Sequence, residues 1–333
     1  MAHITKEGFV YMDTENPIPE PKWWIDELFQ EEALMLITAQ PGVGKGAFAV
    51  ELAHAVATGS EFFGRPVPQG TVLYIAGERD RQAANRVFEL FGRNVYNFIL
   101  LSPIRGDMGP INFNVRGDPQ RLLQKIQSLA ISPSLIVIDT LSNFYVGGQN
   151  DDALMLEWVN GVKYVANALG SQVLIVHHDT KTYNDANGSV SGGGSASGSG
   201  QLLRAVDHHI KATRDYKYQD FQLVLYEMVM SNHGGFFKEY RVVNKFLEDP
   251  EPYLEAHANK RNFLFDLTYA ALEGKALSTT EWQEAIKQSP NFGKNHALSV
   301  QKFNKFRDQL VNSGKVVTSQ DPRRANSTLY KWA

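Results

Sequence analysis

Leu34-Met-Leu-Ile-Thr-Ala-Gln-Pro-Gly-Val-Gly-Lys-Gly46 decides how this chain is read. Leu34 to Ile37 is a short apolar run, the pattern of a strand buried on both faces. Ala39 to Lys45 follows as a glycine-containing turn, and Ala47 to Ala57 is an alanine-rich helix able to pack closely on a sheet. Strand, turn and helix in that order make a phosphate loop. Its glycines let backbone N–H groups converge as an anion nest, the helix N-terminus adds its positive end, and the lysine reaches the β- and γ-phosphates. The candidate nucleotide contacts are Gln40, Pro41, Gly42, Val43, Gly44, Lys45, Gly46 and Ala47. Two positions depart from the full motif. Ala39 replaces the first glycine, small for small. Gly46 stands where Ser or Thr supplies a hydroxyl to Mg2+, and neither Ala47 nor Phe48 offers an oxygen in its place. Phosphate binding and efficient hydrolysis are therefore separate questions.

Gly70-Thr-Val-Leu-Tyr-Ile-Ala-Gly-Glu78 is the next strong strand, and it ends in an acid. Sheets of this kind place ligands at the C-terminal ends of their strands. Glu78 is thus a candidate catalytic base for an attacking water, with capping of the following helix as the alternative role. Ser134-Leu-Ile-Val-Ile-Asp139-Thr140 is a Walker B pattern in which Asp139 would hold Mg2+ directly or through water. Gln172-Val-Leu-Ile-Val-His177-His178 is a further buried strand, closed by two histidines. A helix with apolar residues at Leu122, Leu123, Ile126 and Leu129 precedes the Walker B strand, and another spans Asp152 to Leu169. The strand–helix alternation from 34 to 210 predicts an α/β fold, a mainly parallel sheet with helices on both faces. Later strands over 220–230 and 239–246 would add antiparallel edges. Residues 179–200, rich in Gly, Ser, Asn and Asp, read as a long loop.

The chain has 333 residues and no cysteine, which excludes disulfides, thiolate metal sites and cysteine nucleophiles. No apolar run reaches membrane-spanning length and the N-terminus lacks a signal h-region, so the expectation is a cytoplasmic protein with no membrane partner. The net charge of −3 conceals an asymmetry. Residues 256–333 hold 12 Lys and Arg against 6 Asp and Glu, whereas the remainder holds 21 against 30. A basic module beside an acidic body suits a polyanion partner, or is only a solvated surface. The expected division is an N-terminal arm over 1–22, an ATPase domain over 23–247, a linker over 248–259 and a small domain over 260–333. In that last part, three helical patterns followed by two strands around Pro322-Arg-Arg spell a winged helix. Lys302, Lys305 and Arg307 on its third helix, with Arg323 and Arg324 on the wing, are candidate DNA contacts; a winged helix serving protein contacts is the alternative.

Ile37 to Lys45, Tyr74 to Glu78, Ile136 to Thr140 and Leu174 to His178, in this order, resemble the RecA-like ATPases of the RepA-type hexameric replicative helicases of plasmids, phages and mobile elements. The likeness covers about residues 20–245. It implies ATP and Mg2+ as cofactors, a ring (a hexamer) with nucleotide between subunits, and single-stranded or forked DNA as partner. It also implies that Glu78 is catalytic, that Asp139 is the metal-side acid, and that His178 couples nucleotide state to a DNA-facing loop over 179–200. Two basic groups usual in that family are absent: Ser197 stands at the arginine position, and Met230 and Ser231 at the lysine position. Arg204, Lys211 or Arg214 could substitute. A ring that binds nucleotide and DNA without efficient hydrolysis is the alternative function. A metal site at His177, His178, His208 and His209 is a weaker reading, because adjacent pairs lack metal-ligand spacing.

Overall fold

The computed structural model describes residues 22–77, 80–91, 97–102, 109–179, 183–184, 190–191, 200–218, 220–231, 237–244, 246–289, 299–324 and 327–333. Glu78, Ser197, nearly all of the N-terminal arm and most of the 179–200 segment therefore lie outside the described residues. The chain divides after Pro250 into two units.

In the first unit the elements run β1 (Leu34–Ala39), α1 (Lys45–Thr58), β2 (Thr71–Ala76), α2 (Asp80–Phe91), β3 (Phe98–Leu101), α3 (Asp118–Ser128), β4 (Pro133–Asp139), α4 (Asp152–Leu169), β5 (Gln172–His178), α5 (Gly200–Ala205), β6 (His208–Asp215), β7 (Leu223–Ser231), β8 (Lys238–Val243) and β9 (Leu247–Glu248). They build one sheet in the order β9-β8-β7-β6-β1-β5-β4-β2-β3. The six strands from β6 to β3 in that order are parallel, and β7, β8 and β9 extend the sheet antiparallel. The expected α/β architecture and its antiparallel edge are both present. The sequence reading did not recognise β6 as a strand, yet it pairs with β1 and joins the parallel and antiparallel halves.

Alternation along the central strands explains how apolar runs without visible polarity become two cores. Met35, Ile37, Val72, Tyr74, Leu135, Val137, Leu174 and Val176 face the side covered by α1 and α2. Leu34, Leu36, Leu73, Ile75, Ile136, Ile138, Val173 and Ile175 face α3 and α4. Both faces are covered, so both sets must be apolar. α1 lies close because Ala47, Ala49, Ala53, Ala55 and Ala57 are all buried. α4 is capped by Asp151, whose side chain accepts from the Ala153 and Leu154 amides, and it anchors Trp158, whose Nε1 donates to Phe144 O at 2.8 Å. Before β1, Trp23–Ile25 and Phe29–Gln30 pair as an antiparallel ribbon. Trp24 is buried in the core beside Phe29.

The second unit comprises α6 (Glu251–Leu272), β10 (Ala276–Ser278), α7 (Thr279–Gln288), α8 (Val300–Asn312), β11 (Val316–Gln320) and β12 (Thr328–Trp332). Its strands pair antiparallel in the order β10-β12-β11. Trp282, Phe303, Leu310 and Val316 form the centre of its core, with Trp282 edge-on to Phe303. The stretch expected as a linker over 248–259 is instead the end of β9 followed by the first turns of α6. The Pro252 ring suits the first turn of a helix, where its missing N–H costs nothing. α7 is capped by Ser278 in a capping box with Glu281.

Candidate nucleotide site

The phosphate loop joins β1 to α1 at the C-terminal edge of the parallel strands. Gly42 and Gly44 have φ of 80° and 131°, values open to glycine at little cost. Gly44 caps α1 without a side-chain bond, so the first amides of α1 remain for an anion. The loop is held from behind by the antiparallel extension. Gln222 Nε2 donates to Gly42 O at 3.0 Å and Val43 O at 2.8 Å, and the buried Tyr226 hydroxyl donates to Gly44 O at 3.2 Å. The Val43 amide donates within the turn to Gln40 O at 3.3 Å, and with the Gly42, Val43 and Gly44 carbonyls bound outward the other turn amides are left to the cleft. A Cβ at position 44 would meet Tyr226 Oη at 2.6 Å, so packing as well as φ demands glycine there. The cleft has a volume of about 470 Å³, and its wall includes Lys45, Gly46, Arg86, Asp139, Thr140 and His178.

Lys45 at the start of α1 and Asp139 and His178 at strand ends thus line one cleft. Lys45 is buried; its Nζ donates to Ala39 O at 2.8 Å and Gln40 O at 3.2 Å, and lies 3.3 Å from His178 Nδ1. Burial lowers its pKa to about 8, against the opposing pull of Asp139 and Asp179. Asp139 Oδ2 accepts the Tyr74 hydroxyl at 2.6 Å, and burial together with the aspartate charge holds that phenol well above its usual pKa. The Gly77 amide donates to Asp139 O at 2.7 Å, pinning the backbone just ahead of Glu78.

Asp179, which acts on the Lys45 charge, belongs to a further polar cluster with Lys211, His209 and Thr38. Asp179 Oδ2 is 4.0 Å from Lys211 Nζ, and His209 Nε2 is 2.8 Å from Thr38 Oγ1. Burial lowers the His209 pKa to about 4, so the ring is neutral at physiological pH. His208 Nε2 accepts the Gln30 amide at 3.3 Å, leaving Nδ1 to face Ser231 Oγ at 3.1 Å. These contacts make His208 and His209 structural, and no group of three or more metal-type ligands occurs among the described residues. Met230 and Ser231 pair with His209 and His208, which lie beside Leu36 and Met35 at the end of the strands opposite the phosphate loop, so they take no part in this chain's own cleft. Of the proposed basic substitutes, Lys211 is engaged by Asp179 and Arg204 is exposed on α5.

In the second unit Lys305 and Arg324 are exposed, and the Lys302 side chain lies outside the described set. Arg307 is tied internally: its guanidinium meets Asp308 Oδ1 at 2.7 Å and Asn304 Oδ1 at 3.2 Å and lies over the Tyr330 ring. Arg323 bonds Asp321 Oδ1 at 3.1 Å and approaches Glu281 at 3.9 Å. The five candidate DNA contacts therefore do not form a uniformly free cationic set.

A phosphate loop of this type usually works with a divalent metal, and the donor set can be tested for one. Asp139 offers a carboxylate, and Thr140 a hydroxyl that already accepts from Asn143 at 3.3 Å. At position 46 there is no oxygen, and a Cβ built there would lie 2.9 Å from Arg86 Nη1. The usual P-loop metal ligand is missing and its neighbourhood is cationic, so the residues do not fit Mg2+ in its ordinary seat.

A family model described as the AAA domain matches residues 7–184, more than half of the chain. Similar solved structures include the crystal structure of the RadB recombinase, at 12% identity with a TM-score of 0.43, over 66% of this chain and 91% of that one. Another is a DnaB-like replicative helicase solved for its interactions with primase, at 14% identity with a TM-score of 0.46, over 66% of this chain and 59% of that one. No curated protein matches the sequence significantly. The family match spans β1, the phosphate loop, β2, β4 and β5, the elements that carry Lys45, Asp139 and His178 to one cleft. The chain belongs to the AAA domain family of P-loop ATPases.

Proposed function

We propose that the chain is an ATP-driven motor on DNA, a helicase or translocase of the RepA-type group serving replication of a plasmid, phage or other mobile element. The observation that carries this reading is the 3.3 Å approach of Lys45 Nζ to His178 Nδ1. His178 is the last residue of β5 and leads into the 179–200 segment, so the phosphate-binding cation and the start of that segment share one contact. A phosphate arriving on the loop amides draws Lys45 away from the Ala39 and Gln40 carbonyls and from His178. The histidine then changes partner, and the chain after it feels the nucleotide state. Glu78 would serve as base on the attacking water, and Asp139, held by the Tyr74 hydroxyl, as the Walker B acid of the cleft. A ring of six subunits with nucleotide at their contacts, and single-stranded or forked DNA in its channel, completes the reading. The winged helix would add phosphate contacts through Lys305 and Arg324.

Gly46 and the neighbouring Arg86 favour a second reading, a nucleotide- and DNA-binding ring with slow hydrolysis acting as initiator or loader. Steady-state ATP hydrolysis with and without single-stranded DNA, on this chain and on Gly46→Ser, separates them. DNA-stimulated turnover by the unaltered chain supports the motor. Nucleotide binding without turnover in both proteins overturns it.

A further inference from the structure

The volume beside Gly46 is occupied by a guanidinium. Arg86 projects from α2 to the first turn of α1, and its Nη1 would stand 2.9 Å from a Cβ at position 46. Gly46 has no positive φ, unlike Gly42 and Gly44. A glycine in the first turn of a helix, at an ordinary φ, sacrifices helix propensity, and the backbone does not demand it. The neighbour that gains by it is Arg86: a side chain at 46 would enter the space its guanidinium tip now takes, and would have to move that tip aside. Arg86, Gly46, Lys45 and Asp139 line the same cleft. The Arg86 charge is felt by both Tyr74 and Tyr226, which flank the loop. Among the described residues, Arg86 has no hydrogen-bond or ion-pair partner.

We propose that Arg86, admitted by Gly46, replaces the P-loop hydroxyl and its metal ion as the counter-charge on the nucleotide phosphates, so that this cleft binds nucleotide without needing a divalent cation. The chemistry follows from the donor set. A guanidinium cannot ligate a metal and repels one, whereas it donates to phosphate oxygens in pairs and remains charged at every working pH. Lys45 approaches the phosphates from the loop side and Arg86 from α2, giving two cations where the usual site has one lysine and a metal. This inference rests on the nucleotide reading of the cleft and adds the identity of its second counter-charge.

The test is equilibrium binding of ADP to the full chain, in excess EDTA and in Mg2+, for the unaltered protein, Arg86→Met, Arg86→Lys and Gly46→Ser. ADP avoids turnover, and circular dichroism checks that each variant is folded. The expected result is a Kd in EDTA within about threefold of that in Mg2+ for the unaltered chain. Arg86→Met should lose tenfold or more in EDTA, with Arg86→Lys recovering part of the loss as a point charge without the fork. Gly46→Ser displaces the guanidinium and supplies a hydroxyl, so its binding should become dependent on Mg2+. The inference is overturned if the unaltered chain binds ADP only with Mg2+, or if folded Arg86→Met binds as well as the parent in EDTA. Failure to bind under either condition overturns the nucleotide reading itself, a result distinct from metal-dependent binding.

Discussion

Raising the pH from about 7 to about 9 should weaken nucleotide binding about tenfold, because Lys45 loses the charge it needs across that interval. Its pKa of about 8 in the free protein comes from burial, partly offset by Asp139 and Asp179. Only the ammonium form serves the phosphates, and its fraction falls from roughly nine-tenths at pH 7 to roughly one-tenth at pH 9, or about 1.4 kcal/mol of binding free energy. A lysine with an ordinary pKa of about 10.4 would change its charge by only a few per cent over that interval. Titration calorimetry with ADP in two buffers of different ionisation enthalpy reads both quantities: affinity should fall with pH, and proton uptake should approach about one per site near pH 9. Lys45→Arg, charged throughout, should bind with a flat profile. A constant Kd to pH 9 with no proton uptake would refute the argument, since it would mean that Lys45 is already ammonium in the free cleft. The same shift has a stability sign. The folded pKa lies below the unfolded one, so burying the ammonium costs on the order of 3 kcal/mol below about pH 8, and the cost fades as pH rises to about 10.4. Bound phosphate removes that cost.

Other substitutions test the supports of the site. Tyr74→Phe keeps the buried ring and deletes the 2.6 Å bond to Asp139, and it should lower the denaturant midpoint by the equivalent of about 1–3 kcal/mol; an unchanged midpoint would show that another donor takes over. Gln222→Ala removes both bonds to the loop carbonyls, so ADP should bind about 5–30-fold more weakly by calorimetry while chemical stability changes little; an unaltered Kd would mean that the loop holds its shape unaided. Gly161→Ala would be mildly stabilising in an exposed helix. Here the added Cβ runs into the Phe113 carbonyl and the Pro119 ring, so a loss of about 2 kcal/mol or more is expected in urea melts, and a gain would mean that α4 does not sit where the structure places it.

The motif-bearing strands were legible because each combines an apolar run with a polar residue at its C-terminal end. Asp139 and His178 follow from that pattern and Lys45 from the glycine-containing turn after β1, and the structure places all three on one cleft. β6 was missed because His208-His-Ile-Lys-Ala-Thr-Arg-Asp215 is polar at alternate or adjacent positions and breaks the apolar pattern. Its histidines are satisfied by Thr38, Gln30 and Ser231, residues 23 to 178 positions away in sequence, and no local pattern encodes such partners. Tyr74, Gln222, Tyr226 and Arg86 escaped for a related reason. Each reads locally as an ordinary strand, turn or helix residue, and its role exists only because the sheet order sets β2 beside β4 and α2 and β7 against the loop. The basic residues of the second unit show the converse. Their types and positions suggested a free cationic surface, yet Arg307 and Arg323 are engaged by Asp308 and Asp321, carboxylates one and two residues away.

Gly44 and Gly46 look alike in the sequence and are glycines for different reasons. At 44 the backbone is at φ 131°, and Tyr226 Oη and Val243 close the space a Cβ would take, so both conformation and packing exclude other residues. At 46 the backbone is ordinary and the obstructing atom is the tip of a flexible arginine. A substitution at 44 therefore breaks the loop, whereas one at 46 only moves Arg86. Gly46→Ser should fold, keep the nest and change which counter-charge the phosphates meet. Gly44→Ser should lose nucleotide binding with or without metal, and about 2 kcal/mol of stability besides, from the strained φ and the collision with Tyr226. The pair of variants, read by melting and by ADP binding in EDTA and Mg2+, separates the glycine that shapes the loop from the glycine that makes room for a charge. Equal behaviour of the two would leave Arg86 without the role assigned to it.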